Sequence, residues 1–376
     1  MGLRKVFISI PWFYPAYRAG GPVQSVANLV NEYSDNIEFR IFCADTDLNN
    51  IPLENIIKDQ WVNYNAYTKI WYSSGSGRFS SLKKQVNIFK PDVLYIIGMY
   101  SPVFNILPLF FCKVPSTILS VRGMLHPGAL LQKPLKKKSF LALFKLMGVA
   151  KRIAFHATDK TEADYIKHHF SSASGIFIAG NFPRRFKPLP VLQKQNQLSV
   201  ISIALISPMK NHLLVLEALQ KYPLPIHYHI CGPVKDPAYW ELCLQQIAKL
   251  PSNVEVTFHG NIDPQEVINY LGKAHLFILP SESENFGHSI IEALSAGKPV
   301  ITSMHTPWNH LDEAGAGSNV ALNKDAIRAA LQKWAEQTQE AYALSCENAA
   351  KYAENSIDTE KIRKQYNLMF QAEQHN

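Results

Sequence analysis

The stretch PSESENFGHSIIEALSAGKPVITS, residues 280–303, directly follows an apolar run, HLFILP, that predicts a buried strand. The residues from His288 to Leu294 predict a helix, and Gly297 lies just past its end, where glycine commonly terminates helices. This order of strand, polar loop and helix is the repeating unit of a parallel α/β fold. The stretch therefore predicts both the fold class and a loop at the carboxyl end of a strand, where such sheets bind ligands.

The loop in this stretch is suited to an anion. Gly287 lets a ligand approach the backbone closely, beside Phe286. The N–H groups around His288 and Ser289 would point at that ligand from the N-terminus of the helix, where the helix dipole favours negative charge. We therefore expect a diphosphate to bind here.

Two glutamates flank this anion site. Glu284 lies in the loop, and Glu292 lies eight positions later in the helix, about 12 Å away if the span were regular helix. A retaining glycosidase needs its two carboxylates about 5–5.5 Å apart, so the spacing favours separate tasks at two ends of a long ligand. A sugar nucleotide has hydroxyl groups at both ends of a diphosphate, and carboxylates accept hydrogen bonds from vicinal hydroxyls.

The same alternation of strands and helices runs through the whole chain. Short β-branched runs, many apolar on both faces, predict strands buried between helix layers of two doubly wound sheets. The predicted strands are Val6–Ile10, Phe39–Cys43, Val93–Gly98, Thr117–Val121, Ile153–Ala157, Ile176–Ala179, Ser199–Ile206, His227–Cys231, Glu255–His259, Leu276–Leu279 and Pro299–Thr302.

A break between two domains is predicted near residues 181–197, NFPRRFKPLPVLQKQNQ, which hold three prolines and no helical or strand periodicity. We therefore predict a first Rossmann-like domain over residues 1–182, a linker over 183–197 and a second Rossmann-like domain over 198–355. The natural arrangement is two such domains facing each other across a cleft.

The positive charge of the chain is concentrated in the first domain. The formal net charge is +8, and the 66 residues from Val93 to Thr158 carry nine Lys or Arg and no Asp or Glu. Within them, LLQKPLKKKSFLALFKLMGVAKR mixes lysines with apolar residues, as in a basic segment that lies on anionic lipid. A solvated basic helix face is an equal alternative, and no recognised nucleic-acid-binding module accompanies the run. The lysines of this patch are Lys133, Lys136, Lys137, Lys138 and Lys145.

Composition indicates a cytoplasmic protein. Five scattered cysteines offer no disulfide framework or zinc spacing, and the first residues show no signal-peptide pattern. Val93 to Cys112 is an uncharged run of 20 residues, near the length of a membrane span, but it contains glycine, asparagine and prolines. We therefore expect a buried strand, a turn and a short helix there.

The residues around Glu284 resemble the donor-binding motif of the family 4 retaining glycosyltransferases, the glycosyl transferases group 1, which have the GT-B fold. The resemblance rests on Glu-x7-Glu together with FG, EAL, AGKPVI and the strand LFILPS. Gly20-Gly21 in AYRAGGPVQSVANLV, the run ISIALISPMKNHLLVLEAL and VTFHGNIDPQEVINYLGKA extend it over most of the chain. The tail, residues 356–376, resembles the last helix of this fold, which crosses back to the first domain.

The resemblance implies the following roles. Glu292 binds the ribose hydroxyls, and Glu284 binds the donor sugar. Lys210 neutralises the leaving diphosphate, and no metal or other cofactor is implied. The backbone contacts to the donor come from Gly20, Gly21, Phe286, Gly287, His288 and Ser289.

Two positions depart from the family's pattern. Many relatives carry an arginine shortly before the lysine, where this chain has Leu205, and Arg184, Arg185 or Arg122 are candidate substitutes. Many relatives also place a histidine near the reacting sugar, where this chain reads SVRGMLHPGAL. Arg122 occupies that position and His126 follows four residues later, so both are predicted catalytic candidates.

The resemblance implies a hexosyltransferase that retains the anomeric configuration. The expected partners are a nucleotide-diphosphate sugar linked to UDP or GDP, a glycan or lipid-linked acceptor and an anionic membrane surface. The expected setting is bacterial envelope polysaccharide synthesis of the O-antigen or capsule type, on the inner face of the cell membrane. An epimerase or phosphorylase on the same fold and a basic module that binds anionic polymers remain alternatives. Nucleic acid is not an expected partner.

Two other patterns suggest metal binding by themselves. Asp45-Thr46-Asp47 is a DxD sequence at a strand end, and His227 and His229 lie on one face of a predicted strand. Three-residue patterns arise often by chance, and no third ligand accompanies the histidines. We therefore expect structural roles for both.

Overall fold

The chain forms two compact units in a computed structural model that describes residues 3–33, 37–130, 134–194 and 196–371. Unit 1 comprises Met1–Phe182 and Asp358–Asn376, and unit 2 comprises Pro183–Ile357. Each unit contains its own sheet and its own hydrophobic core.

Unit 1 is built on a sheet that has eight strands within the described residues, in the order β3-β4-β2-β1-β5-β6-β7-β8. Its pairings are parallel except for that of β3 with β4. The strands are β1 (Arg4–Ser9), β2 (Ile37–Ala44), β3 (Trp61–Asn63), β4 (Thr68–Ser73), β5 (Val93–Ile97), β6 (Ser116–Ser120), β7 (Ala154–Ala157) and β8 (Gly175–Ile178). The helices are α1 (Gly21–Glu32), α2 (Arg78–Phe89), α3 (Leu107–Phe111), α4 (Pro127–Leu130), α5 (Pro134–Leu146) and α6 (Lys160–His169).

Unit 2 contains a parallel sheet that has six strands within the described residues, in the order β11-β10-β9-β12-β13-β14. The strands are β9 (Leu198–Ile203), β10 (Ile226–Cys231), β11 (Val254–Gly260), β12 (Leu276–Leu279), β13 (Val300–Ser303) and β14 (Gly317–Val320). The helices are α7 (His212–Leu219), α8 (Pro237–Ile247), α9 (Val267–Leu271), α10 (His288–Ser295), α11 (Lys324–Ala335) and α12 (Gln339–Asn355). The last helix of the chain, α13 (Thr359–Gln371), belongs to unit 1.

Both faces of the unit 2 sheet are covered by helices. Successive side chains of a strand point to opposite faces. In β12, Ile278 packs into one core cluster with α7 and α11, whereas its neighbours Phe277 and Leu279 pack into another with α10 and α12. The expected doubly wound α/β class follows from this alternation, and each predicted strand corresponds to an observed one within a few residues.

The uncharged run from Val93 to Cys112 folds as expected. It forms β5, a π-helical turn over Pro102–Ile106 and the short helix α3. Across the described ranges of the chain, no helix combines the length and apolarity that crossing a membrane requires.

The helix α13 is anchored in unit 1 by its own side chains. Tyr366 and Phe370 are buried, and the Tyr366 ring stacks on that of Phe182 at a centroid distance of 5.5 Å. Arg363 forms an ion pair with Glu32 at the end of α1.

The segment predicted as a linker is packed against unit 2. Residues 183–194 have no regular secondary structure. The Leu189 N–H donates to the Ala296 carbonyl at 3.0 Å, and the Phe186 N–H donates to Ser295 Oγ at 3.0 Å. Because its backbone is bonded to the end of α10, this segment is part of unit 2 and not a free tether.

Candidate functional site

The loop between β12 and α10 brings Glu284 into contact with Lys210. Lys210 ends a short 3-10 turn, Pro208–Lys210, between β9 and α7. Its Nζ contacts Glu284 Oε1, and Ser281 Oγ donates to the same oxygen at 2.7 Å. Both charged side chains are largely buried, with exposed fractions of 20% for Lys210 and 10% for Glu284. The carboxylate is therefore fixed in one position by a cation and a hydroxyl before any ligand arrives.

The start of α10 has the geometry expected of an anion site. Gly287 has φ 74° and ψ 58°, in the left-handed region, and its carbonyl accepts from Ile290 and Ile291. The first-turn N–H groups of a helix have no acceptor within the helix, so they face outward from its N-terminus. Ser289 lies in this turn and is half-buried.

Trp308 fixes the Phe286-Gly287 peptide from beneath. Its indole N–H donates to the Phe286 carbonyl at 2.6 Å, and the two rings meet edge to face at 5.7 Å. A Cβ on Gly287 would lie 3.0 Å from Trp308 Nε1. Trp308 is only 3% exposed. The structure therefore places Trp308 in the core next to the loop.

The segment after β13 supports the donor loop at a second point. The Glu284 N–H donates to the His305 carbonyl at 3.3 Å. Phe286 also packs against His288, at a ring centroid distance of 4.6 Å. Residues 304–308 therefore hold the predicted donor loop at Glu284 and at Phe286, an arrangement that the motif alone did not indicate.

Glu292 lies in a different environment from Glu284. It is in the second turn of α10 and is 6% exposed. Burial raises the pKa of its carboxyl to about 7, and Arg184 opposes that rise. Arg184 Nε lies 3.4 Å from Glu292 Oε1. The two predicted glutamates thus have separate cationic partners, consistent with separate tasks.

The arginines proposed to replace the missing one at Leu205 have different surroundings. Arg184 faces Glu292 and donates to the Pro264 carbonyl at 2.7 Å. Arg185 donates to the carbonyls of Glu354 and Ile357, at the end of α12. The pairing of Arg184 with Glu292 could not be predicted because these residues are 108 positions apart in the sequence.

The predicted glycine pair lies at the start of α1 in unit 1. Gly20 is the N-terminal cap of that helix, with φ 79°, and Gly21 is its first residue. A Cβ on Gly21 would meet no atom within 4 Å. The space at Gly21 leaves the backbone open to a close approach, whereas Gly20 is required by its backbone conformation.

Arg122 and His126 occupy the loop after β6 in unit 1. Arg122 has φ 50°, and its guanidinium donates to Asn181 Oδ1 at 2.6 Å and to the Tyr95 hydroxyl at 3.1 Å. Burial by itself lowers the pKa of Arg122, but interactions with Tyr95, Tyr366 and Glu162 outweigh burial and raise the pKa above its ordinary value. The Arg122 side chain is thus held by hydrogen bonds to other residues of unit 1.

His126 is half-buried and lies at the start of α4. Its Nδ1 accepts from the Gly128 N–H at 3.1 Å, and its ring meets Tyr165 edge to face at 5.5 Å. These contacts fix one ring nitrogen in a turn. The catalytic assignments of both Arg122 and His126 stay predictions.

The residues of the two patterns that suggested metal binding contact other groups of the chain instead. Asp45 bonds Lys58 and Arg78, each at 2.8 Å, and Asp47 caps the turn at Leu48. His229 Nδ1 lies 3.1 Å from His259 Nε2 on the neighbouring strand. Among the residues that the structure describes, no group of three or more metal-binding side chains converges.

Part of the chain is similar to known proteins. Residues 185–356 match the model of a family described as glycosyl transferases group 1. WcaL of Escherichia coli (strain K12), which is named as a colanic acid biosynthesis glycosyltransferase, is 26% identical over 201 residues. The matched region is 50% of this chain and 48% of WcaL, so the chain spans about half the length of this curated relative.

Solved structures resemble the whole chain. Sucrose-phosphate synthase from Thermosynechococcus elongatus has a TM-score of 0.74 at 16% identity, with 98% of each chain covered. HepE of Anabaena, in complex with UDP and glucose, has a TM-score of 0.71 at 15% identity, over 99% of this chain and 100% of HepE. WaaG, a glycosyltransferase involved in lipopolysaccharide biosynthesis, has a TM-score of 0.62 at 14% identity, over 98% and 100%.

These likenesses show that the chain has the GT-B fold, as expected. The match of residues 185–356 to the glycosyl transferases group 1 model agrees with the family expected from the residues around Glu284.

Proposed function

We propose that the chain is a retaining glycosyltransferase that moves a hexose from a nucleotide-diphosphate sugar to a glycan or lipid-linked acceptor. The observation that carries the proposal is the Lys210–Glu284 ion pair beside the N-terminus of α10. A cation and a helix N-terminus favour a diphosphate, and a fixed carboxylate next to them suits sugar hydroxyls. The names of WcaL and WaaG support a setting in bacterial envelope polysaccharide synthesis.

In this proposal each predicted residue has one task. Glu284 accepts hydrogen bonds from the donor sugar, and Glu292 accepts them from the ribose. Lys210 faces the diphosphate, as lysine does elsewhere as a point charge. Backbone contacts come from Phe286, Gly287, His288 and Ser289 and, in unit 1, from Gly20 and Gly21. The family resemblance supports these assignments.

The proposed reaction breaks the bond between the anomeric carbon and the phosphate oxygen. The acceptor hydroxyl oxygen forms the new bond on the same face of the sugar, and its proton passes to the leaving phosphate oxygen. Lys210 and the N-terminus of α10 stabilise the charge that develops on the phosphate, so the proposal requires no metal ion. Arg122 and His126 are the unit 1 candidates for contacts with the reacting sugar.

The donor is tested with a panel of sugar nucleotides in a thermal-shift assay, because a ligand that binds the folded state raises its stability. We expect one UDP- or GDP-linked hexose to raise the melting temperature, and Glu292→Gln to abolish that shift. Release of free sugar or sugar phosphate in water or phosphate, without an acceptor, would instead support an epimerase or phosphorylase. The absence of any nucleotide-dependent shift would contradict the proposal.

Catalysis is tested by turnover of Lys210→Ala with an excess of donor. Removing one group that stabilises developing charge commonly lowers kcat by about 10²- to 10³-fold. Lys221→Ala removes an exposed lysine of the same unit and is the control. Turnover of Lys210→Ala within a few-fold of the wild type would refute the assignment, and NMR of the product's anomeric proton tests retention.

We further propose that α5 binds the anionic surface of the inner membrane leaflet, which would make the protein peripheral on the cytoplasmic face. Leu141 and Phe144 face the core of unit 1, whereas Leu135, Leu143 and Leu146 are 81%, 54% and 84% exposed. The exposed leucines therefore form a second apolar face that the core does not cover. The solvent-facing side of a helix normally carries polar or charged residues, and contiguous exposed apolar residues mark an interaction surface.

The lysines flank this exposed apolar face. With 3.6 residues per turn, positions 135 and 146 point in nearly the same direction from the helix axis, about three turns apart. Lys136 lies on one side of that direction, and Lys138 and Lys145 lie on the other. All three lysines are exposed. Lys137 instead donates to the Ala129 carbonyl, and the predicted Lys133 lies outside the described residues. Leucines that enter the interface beneath flanking ammonium groups match an anionic lipid surface.

Sedimentation with vesicles tests this surface. We expect binding to vesicles that contain phosphatidylglycerol, weaker binding at high salt, and none for Leu135→Ser combined with Leu146→Ser. Leu368→Ser changes a leucine that is 67% exposed on α13 of the same unit and is the control. Equal sedimentation of wild type and double variant, or no binding at low salt, would refute the membrane contact without affecting the proposed reaction.

A further inference from the structure

The contact between Glu292 and Arg184 is not an ordinary salt bridge. Arg184 Nε lies 3.4 Å from Glu292 Oε1, but this atom is buried and has no hydrogen-bond partner within the described residues. An aligned arginine–carboxylate pair would instead form parallel hydrogen bonds at about 2.7–2.9 Å. The pair is therefore an electrostatic contact in which the carboxylate keeps its hydrogen-bonding capacity.

Arg184 is held in this position by other contacts. Its NH2 donates to the Pro264 carbonyl at 2.7 Å, and its guanidinium carbon lies 4.5 Å above the centre of the Phe186 ring. The arginine is thus fixed by a carbonyl and an aromatic face, and not by Glu292 itself. A ligand that bonds both oxygens of Glu292 would not need to displace it.

Arg184 also determines the charge of Glu292. Burial raises the pKa of this carboxyl to about 7, and of the charged groups in the described chain, Arg184 is the one that lowers it. No charged side chain of α12, β12 or β13, which pack against α10, adds to that influence. Without the arginine, the pKa of Glu292 would rise further, so the carboxyl would be mostly protonated at neutral pH and would lose acceptor capacity.

We propose that Arg184 is a positioning residue that keeps Glu292 ionised and unoccupied as an acceptor for the cis-diol of a ribonucleotide. This inference rests on the proposed function, in which Glu292 binds the ribose. It differs from a direct phosphate contact, because Arg184 acts through the carboxylate.

The first experiment measures the dissociation constant of UDP and GDP between pH 6 and 9 for the wild type, Arg184→Gln and Arg328→Gln. Glutamine removes the charge of Arg184 and keeps a side-chain N–H donor. Arg328 is the matched control, because it lies in the same unit and donates to the Ala218 carbonyl and to Asp325. Ionisation of the phosphate is common to all three proteins, so it cancels in the ratio of their affinities.

Loss of an adjacent opposite charge raises a carboxyl pKa by about 1–3 units. If the pKa of Glu292 rises by about one unit, the nucleotide affinity of Arg184→Gln falls about tenfold at pH 6 and by less than about twofold at pH 9 relative to the wild type. Arg328→Gln should match the wild type throughout this range. An affinity ratio that is constant with pH would overturn the proposal, because a structural or phosphate contact weakens binding at every pH.

The second experiment needs no ligand. Carboxyl-¹³C NMR of glutamate-labelled protein follows the titration of Glu292, assigned by its absence in Glu292→Gln. We expect a higher midpoint in Arg184→Gln than in the wild type, and an unchanged midpoint would overturn the inference. If the midpoint shifts but no nucleotide binds any variant, the proposed function fails while the electrostatic role of Arg184 remains.

Discussion

Replacing Trp308 by phenylalanine tests whether the core beneath the donor loop sets its affinity for a ligand. The substitution keeps an aromatic ring in a site that is 3% exposed and removes the N–H that donates to the Phe286 carbonyl at 2.6 Å. That bond restrains the Phe286-Gly287 peptide at the start of α10. Without it, the peptide loses its preferred orientation and the N-terminal N–H groups are less well aligned for an anion.

The expected loss of stability follows from the bond that is removed. A buried carbonyl left without a donor costs about 1–3 kcal/mol, and the smaller phenylalanine ring adds a small cavity. For a domain of this size, about 1 kcal/mol corresponds to about 2–4 °C in melting temperature. We therefore expect Trp308→Phe to melt a few degrees below the wild type and to remain folded.

Trp334→Phe separates the effect on binding from the effect on stability. Trp334 is also 3% exposed in unit 2, and its indole N–H donates to Ser318 Oγ at 3.2 Å, but it packs in the core cluster on α11. Calorimetric titration with the donor nucleotide should show at least a severalfold weaker affinity for Trp308→Phe and no change for Trp334→Phe. Equal affinities of the two variants would refute the positioning role of Trp308, whatever their melting temperatures.

Three further predictions concern stability. Gly232→Ala should prevent folding or lower the free energy of unfolding by more than about 3 kcal/mol. The φ of residue 232 is +140°, and the new Cβ would lie 1.9 Å from the Ala204 carbonyl oxygen. Urea unfolding near wild-type stability would contradict this. Burial lowers the pKa of His156 to about 3 and that of His212 to about 4. Below about pH 6.5 these histidines are therefore protonated in the unfolded chain but still neutral in the folded one. Unfolding titrations should show stability falling by about 1.4 kcal/mol per pH unit for each histidine as pH drops below 6.5, and glutamine variants should reduce this slope. Lys194→Met removes an ammonium group that donates to three carbonyls at the end of α11. Urea unfolding should show a free energy of unfolding about 1–3 kcal/mol lower than that of the wild type, whereas replacing an exposed lysine should cause no measurable change.

The strands that the sequence did not predict lack the pattern of buried strands. In β14 the sequence is GSNV, with one large apolar residue. Its place in the sheet depends on Gly317, where a Cβ would lie 2.0 Å from the Val300 carbonyl oxygen, so absence of a side chain and not hydrophobicity permits the pairing. The edge strand β3 and its neighbour β4 mix polar and aromatic residues. Their places in the sheet depend on the pairing of β4 with β2 and of β3 with β4, which composition does not show.

The site shows the same division between local and distant information. The loop, Gly287 and the helix after it are encoded within 24 residues, and their positions agree with the sequence interpretation. The partners that fix the loop and the buried glutamate, Trp308 and Arg184, come from segments without a motif. The segment after β13 and the irregular chain before β9 bring these side chains to the site, so only the folded chain shows which residues they contact.

Two carboxylates beside a diphosphate would by themselves repel the anion that the site is proposed to bind. The structure resolves this conflict by giving each carboxylate a cation: Lys210 contacts Glu284, and Arg184 lies beside Glu292. Each pair is close to neutral, so the positive end of the α10 dipole remains the main field at the loop. The carboxylates can then accept hydroxyl hydrogen bonds without opposing the phosphates. A chain that kept both glutamates but lost either cation would keep the family's motif and lose the electrostatic condition for binding a sugar nucleotide.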